Sequence, residues 1–166
     1  KIIGEEILLD GNLEAEGHEF FSLGALSVSL DGELLAYSID VTGGERFTIM
    51  IKDLTSGELL ADQIEDTAHG VAWAKNSHLF YTRADEAWRP YVVLRHRIGA
   101  DPSQDVEVLT EADERYWLSV DASRDDRWII FGAGSKITSE FRLLSTDDPE
   151  GEPRIVAPRR QGVEYD

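Results

Sequence analysis

Ala25-Leu-Ser-Val-Ser-Leu-Asp-Gly32, Gly70-Val-Ala-Trp-Ala-Lys-Asn-Ser77 and Trp117-Leu-Ser-Val-Asp-Ala-Ser-Arg-Asp125 follow one plan. Each is a short apolar strand running into a polar turn. A more apolar run comes next: Leu34-Leu-Ala-Tyr-Ser38, Leu79-Phe-Tyr-Thr82 and Trp128-Ile-Ile-Phe131. A third strand then leads to a turn: Phe47-Thr-Ile-Met-Ile-Lys-Asp53, Tyr91-Val-Val-Leu-Arg-His96 and Phe141-Arg-Leu-Leu-Ser145. A short outer strand closes each unit: Leu59-Leu60, Val106-Glu-Val-Leu109 and Arg154-Ile-Val-Ala157. Four strands recurring every ~45 residues are the mark of a β-propeller blade. The expected fold is all-β, a partial β-propeller of three four-stranded antiparallel blades over residues 25–64, 68–111 and 116–158.

The turns carry suitable residues. Asp31-Gly32, Gly43-Gly44 and Thr55-Ser-Gly57 place glycine where a reversal needs positive φ. Asp101-Pro-Ser103 and Asp147-Asp-Pro149 start turns, because proline presets φ and aspartate bonds the backbone ahead of it. Helix signals are weak; Asn12-Leu-Glu-Ala-Glu16 suits a single turn before Gly17. Trp128-Ile-Ile-Phe131 and Leu79-Phe-Tyr81, apolar on both faces, suit strands sandwiched between blades. Trp73, Trp117 and Trp128 are expected between blades, and Trp88 in an exposed loop.

Both ends look cut through the repeat. Glu5-Glu-Ile-Leu-Leu-Asp10 resembles the outer strand of a preceding blade, so residues 1–24 read as that strand and its connection. Residues 159–166 read as the start of the next blade, and the chain as a piece of a longer protein. An arc of three blades leaves two flat faces uncovered, so self-association of the isolated chain is expected.

Acidic residues number 33 against 16 basic ones, a formal charge of −17. Such a surface repels phosphate and disfavours nucleic acid as a partner; it reads as a solvated, self-repelling surface, or as a field that attracts cationic peptides. Cysteine is absent, which excludes disulfides and thiolate metal sites and fits a reducing compartment. No apolar run is long enough to span a bilayer as a helix.

The sequence shows no catalytic, cofactor-binding or metal-binding residue. Gly-x-Ser-x-Gly is missing; Gly132-Ala-Gly-Ser135 has the wrong order and reads as a loop. No phosphate-binding loop or dinucleotide fingerprint occurs. His18-Glu19 lacks the second histidine of a zinc helix, and Asp147-Asp148 with Glu150 lacks the central glycine of a calcium loop. Ser123-Arg-Asp-Asp-Arg-Trp128 approaches the Asp-box of sialidase propellers, but Arg127 stands where glycine is required. The basic stretch Trp88-Arg-Pro-Tyr-Val-Val-Leu-Arg-His-Arg-Ile-Gly99 reads as a strand whose outward side chains pair with nearby carboxylates, or as a contact with another domain.

That basic stretch resembles the Arg-Pro-Tyr…Arg-His-x-Leu/Ile-Gly segment of the oligopeptidase B (protease II) branch of the prolyl oligopeptidase family of serine peptidases. The likeness continues through Glu6-Ile-Leu-Leu-Asp10, Glu16-Gly-His18, Phe21-Ser-Leu-Gly24, Leu35-Ala-Tyr-Ser38, Ile51-Lys-Asp-Leu54, Leu79-Phe-Tyr-Thr82, Ser139-Glu-Phe-Arg-Leu-Leu144 and Ala157-Pro-Arg-Arg160 with Glu164-Tyr165. Order and spacing carry it across nearly the whole chain. The resemblance implies a seven-bladed propeller that gates a C-terminal α/β-hydrolase domain of the same parent chain. It implies a cytoplasmic hydrolase of short peptides, cutting after Arg or Lys without a cofactor, with its catalytic residues outside this chain. The alternative is a non-enzymatic propeller that serves as a binding scaffold.

Overall fold

The computed structural model describes Gly4 and residues 6–165. One helical turn, α1 (Gly11–Glu14), precedes twelve strands. β1 (Ser22–Val28), β2 (Leu34–Asp40), β3 (Phe47–Asp53) and β4 (Leu59–Thr67) form the first sheet. β5 (Val71–Ala74), β6 (His78–Ala84), β7 (Pro90–Arg97) and β8 (Val106–Thr110) form the second. β9 (Trp117–Ala122), β10 (Trp128–Gly134), β11 (Ser139–Ser145) and β12 (Arg154–Ile155) form the third. Every sheet is antiparallel with neighbours in chain order. The first strands converge, β1 beside β5 and β5 beside β9, and the three blades fan out from that side.

The repeat is visible in its turns. In β1–β2 the Ser29 hydroxyl donates to Asp31 at 2.6 Å and accepts from Leu34 N–H at 3.0 Å. In β9–β10 Ser123 does the same with Asp125 at 2.7 Å and Trp128 N–H at 3.0 Å. The left-handed position is Gly32 (φ 78°) in one and Asp126 (φ 56°) in the other. The segment that approaches an Asp-box is therefore the same hairpin device as in the first blade.

Two apolar layers hold the blades together. Between the first and second lie Ala36, Ile49, Ile51 and Ile64 against Trp73, Leu79, Tyr81 and Val92. Between the second and third lie Phe80 and Val93 against Leu118, Val120, Ile129 and Phe131, with Phe80 and Phe131 edge to face at 5.7 Å. Polar links cross the same seams. Trp73 Nε1 donates to the Ser27 carbonyl at 3.0 Å, and Asp31 N–H donates to Asn76 Oδ1 at 3.0 Å. Lys75 pairs with Asp147 across the second seam.

Several expectations are corrected. Over the described part of Glu5–Asp10 no strand forms; Glu5 itself lies outside the described residues. Instead the N-terminal segment lies on the outer face of the first blade. Lys52 Nζ donates to the Leu8 carbonyl at 3.1 Å, and Tyr37 OH donates to Glu14 at 3.3 Å. Leu35 and Tyr37, which face away from the second blade, are buried, while Leu26 and Val28 on β1 stay exposed. Residues 159–165 form no strand but fold back on β11; Asp166 lies outside the described residues. Both flat faces of the arc are thus partly covered by the chain's own ends.

Trp73 is buried between blades, but Trp117 (54% exposed) and Trp128 (38%) are not. Their partners in the ladder show why: Trp128 pairs with Ser145 and Trp117 with Gly134, on the face opposite Ile129 and Phe131. Gly132-Ala-Gly134 belongs to β10 rather than to a loop. A Cβ at Gly132 would stand 2.5 Å from Ser119 Oγ, so glycine here lets two neighbouring strands close on β10.

Candidate functional site

The basic stretch is the first candidate to resolve. Arg89 is buried and acts as a staple between the second and third blades. Its Nε donates to Asp85 at 2.9 Å, and its Nη1 donates to the carbonyls of Glu111 at 3.1 Å and Tyr116 at 3.2 Å. Arg95 donates to the Pro149 carbonyl at 2.9 Å. His96 is fully buried, with Nδ1 2.7 Å from Asp105 and Nε2 3.8 Å from Asp62. Tyr81 OH donates to the other oxygen of Asp105 at 2.8 Å. These side chains are bound inward, largely to backbone carbonyls and buried carboxylates, not to a surface array.

A second buried network lies at the seam of the third blade. Arg159 Nη2 meets Glu111 at 2.6 Å and Glu140 at 3.4 Å, and its guanidinium sits 4.0 Å over the Tyr116 ring. Burial opposes ionisation of Glu140, but the donors of Arg159 and Arg142 outweigh it and lower its pKa. This arrangement fixes a loop and has no group positioned for chemistry.

Ser77 Oγ lies 2.9 Å from His78 Nδ1, and His78 Nε2 lies 3.6 Å from Glu150. The order Ser, His, Glu imitates a hydrolase triad. Yet His78 is buried, and its pKa is lowered by burial and by the charges of Arg95 and Arg97 against the opposing pull of Glu150. It docks the β11–β12 turn on the second blade. Asp147, weighed as a calcium ligand, is the partner of Lys75. His18 is exposed beside α1.

A feature with room for a ligand is a cavity of about 900 Å³ at the end of the blades where β1 and β9 begin. Phe20, Leu23, Phe47, Trp88 and Trp117 line it, with Asp40 and Glu45. Two loops position Glu45 and Trp88. Asp40 folds the β2–β3 loop by accepting from the N–H groups of Thr42 at 2.8 Å, Gly43 at 3.1 Å and Glu45 at 2.8 Å. Burial works against its ionisation; these donors prevail and hold its pKa below the ordinary value. Trp88 Nε1 donates to the Gly44 carbonyl at 2.8 Å, tying the β6–β7 loop to the β2–β3 loop. Arg46 reinforces the tie through the carbonyls of Ala84 at 2.8 Å and Asp85 at 2.6 Å. The sequence offered no signal for this cavity, because its walls come from segments up to a hundred residues apart; only the exposed loop position of Trp88 was legible.

These blades, joined by two apolar seams and carrying no assembled catalytic centre among the described residues, define a propeller segment. Residues 2–166 match the family described as prolyl oligopeptidase, N-terminal β-propeller domain, and the chain belongs to that family. It is 36% identical to Protease 2 of Moraxella lacunata, over 98% of this chain and 24% of that protein. It is 35% identical to dipeptidyl aminopeptidase BI of Pseudoxanthomonas mexicana, over 98% of this chain and 22% of that protein. It superposes on oligopeptidase B from Leishmania major with a TM-score of 0.90 and 30% identity, over 97% of this chain and 23% of that one. The chain thus spans about a quarter of the length of these relatives.

Proposed function

We propose that this chain is the gating propeller portion of a serine oligopeptidase that hydrolyses short peptides after Arg or Lys. The observation that carries the reading is the family match over residues 2–166, joined to relatives named as peptidases at 35–36% identity. The chain contributes access control and no catalytic group; its partner is a C-terminal α/β-hydrolase domain of the same parent chain. The formal charge of −17 supports short cationic peptides as substrates, since a field of one sign concentrates ligands of the other. The lack of cysteine supports a cytoplasmic setting. No cofactor enters the reaction.

A second reading, removal of dipeptides from a free N-terminus, is favoured by the likeness to dipeptidyl aminopeptidase BI. One assay separates the two. The full-length protein is given an N-acetylated peptide with an internal Arg. Cleavage after Arg, abolished by a serine-directed inhibitor, supports the first reading. Release of dipeptides only from the unblocked peptide supports the second. No hydrolysis of either leaves the binding scaffold.

A further inference from the structure

We infer that the cavity framed by Phe20, Glu45, Trp88 and Trp117 is a binding subsite for an Arg or Lys side chain of a peptide, remote from the bond being cut. Phe20 (44%), Trp88 (52%) and Trp117 (54%) expose large aromatic surfaces to one space of about 900 Å³. Exposed apolar groups gathered around one concavity mark recognition rather than ordinary surface.

Charge selects the occupant. The ionisable lining groups are Asp40, Glu45 and His69, with no Lys or Arg among the lining side chains. The Asp40 carboxylate is already engaged by backbone donors; Glu45 is exposed and its carboxylate has no partner among the described residues, so it is the one that meets a ligand. Arg46 and Arg89, the nearby cations, are engaged with Asp66, Asp85 and main-chain carbonyls. Exposed aromatic side chains beside one available carboxylate fit a guanidinium or ammonium on an apolar stem.

Backbone strain points to the same place. Five non-glycine residues have positive φ, and two of them, Glu45 (φ 55°) and Trp88 (φ 58°), face this cavity. The Trp88–Gly44 hydrogen bond and the Asp85 cap hold them there. A left-handed tryptophan is costly, and such residues concentrate where a side chain must be aimed.

This inference rests on the proposed peptidase role only for the choice of a peptide as ligand, and binding is read separately from hydrolysis. Full-length protein, blocked with a serine-directed inhibitor, is titrated calorimetrically with an acetylated Ala/Gly hexapeptide bearing one central Arg, and with its citrulline twin. The Arg peptide is expected to bind about five- to tenfold tighter. Glu45→Gly removes the carboxylate while suiting the left-handed backbone, and Trp88→Asn removes the indole at a position asparagine tolerates. Both are expected to erase the preference for the Arg peptide over its citrulline twin. Equal binding of the two peptides by the wild-type protein, or a preference that survives in both folded variants, overturns the subsite. Failure of the unblocked wild-type enzyme to hydrolyse a single-residue arginyl amide, with the binding preference intact, would instead strike the peptidase reading.

Discussion

The hydroxyl of Tyr165 takes the place of a strand partner for Phe141. It accepts the Phe141 N–H at 3.1 Å and donates to the Ala157 carbonyl at 2.8 Å, just where β12 has ended. The two rings pack edge to face at 5.5 Å, and Ser139 Oγ exchanges hydrogen bonds with the Tyr165 backbone. A side chain near the end of the chain thus extends the ladder of the third blade and shields part of its outer face.

Tyr165→Phe should therefore destabilise the blade more than loss of an exposed hydroxyl would. The Phe141 N–H and Ala157 carbonyl lose their partner, at a cost of about 1–2 kcal/mol. Urea denaturation checks this, and hydrogen exchange should quicken at Phe141. An unchanged midpoint would show that water replaces the hydroxyl.

Gly24 should not tolerate a methyl group. A Cβ there would stand 2.7 Å from the buried Phe47 ring and 2.7 Å from Ser38 Oγ. Ser38 cannot swing aside freely, since it accepts from Ala25 N–H at 2.8 Å and donates to the His69 carbonyl. Gly24→Ala is expected to cost about 1–3 kcal/mol by overpacking, with the double change Gly24→Ala, Phe47→Leu recovering part of it.

Arg159→Ala removes the cation that Glu111 and Glu140 share, leaving Glu140 with Arg142 alone. Arg159 keeps some exposure, so the loss is scaled down to about 2 kcal/mol from the larger figures for fully buried pairs. Arg159→Lys should rescue less than half, because a point charge cannot serve two carboxylates and stack on Tyr116 together. Thermal unfolding of the three proteins orders them.

The lowered pKa of His78 makes stability depend on pH with a definite sign. The native protein favours the neutral ring, so this contribution is fully present above the ordinary value of 6.5 and declines as pH falls below it. Replacing His78 by Gln should flatten the stability profile as pH falls below the ordinary histidine value. A variant whose profile keeps the wild-type slope would assign that slope to other groups.

The 166-residue chain by itself should associate. Leu26 and Val28 on one open face, and Trp128 and Val156 on the other, remain exposed despite the covering ends. Sedimentation at rising concentration is expected to show dimers or larger species, and Trp128→Glu should shift them toward monomer. A clean monomer at high concentration would mean that α1 and the Tyr165 tail shield enough of both faces.

How much could be read in advance follows from range in the chain. The four-strand repeat and its glycine turns are legible because each rests on residues within one hairpin or one unit. The run Trp128-Ile-Ile-Phe131 is apolar on both faces and does not show which face meets the second blade, so Trp128, expected between blades, lies on the open side. Gly132 read as a loop residue because its reason, the approach of Ser119, comes from another strand.

The amino-acid sequence by itself determined the strands of the three blades and their antiparallel order, since local hydrophobic pattern and turn chemistry specify these without help from distant segments. Tertiary structure alone decided which charges are buried, how the chain's ends clothe the outer faces, and that Phe20, Glu45, Trp88 and Trp117 share one cavity. The physical reason is that burial and enclosure are properties of packed surfaces. Only the stacking of blades brings those surfaces together.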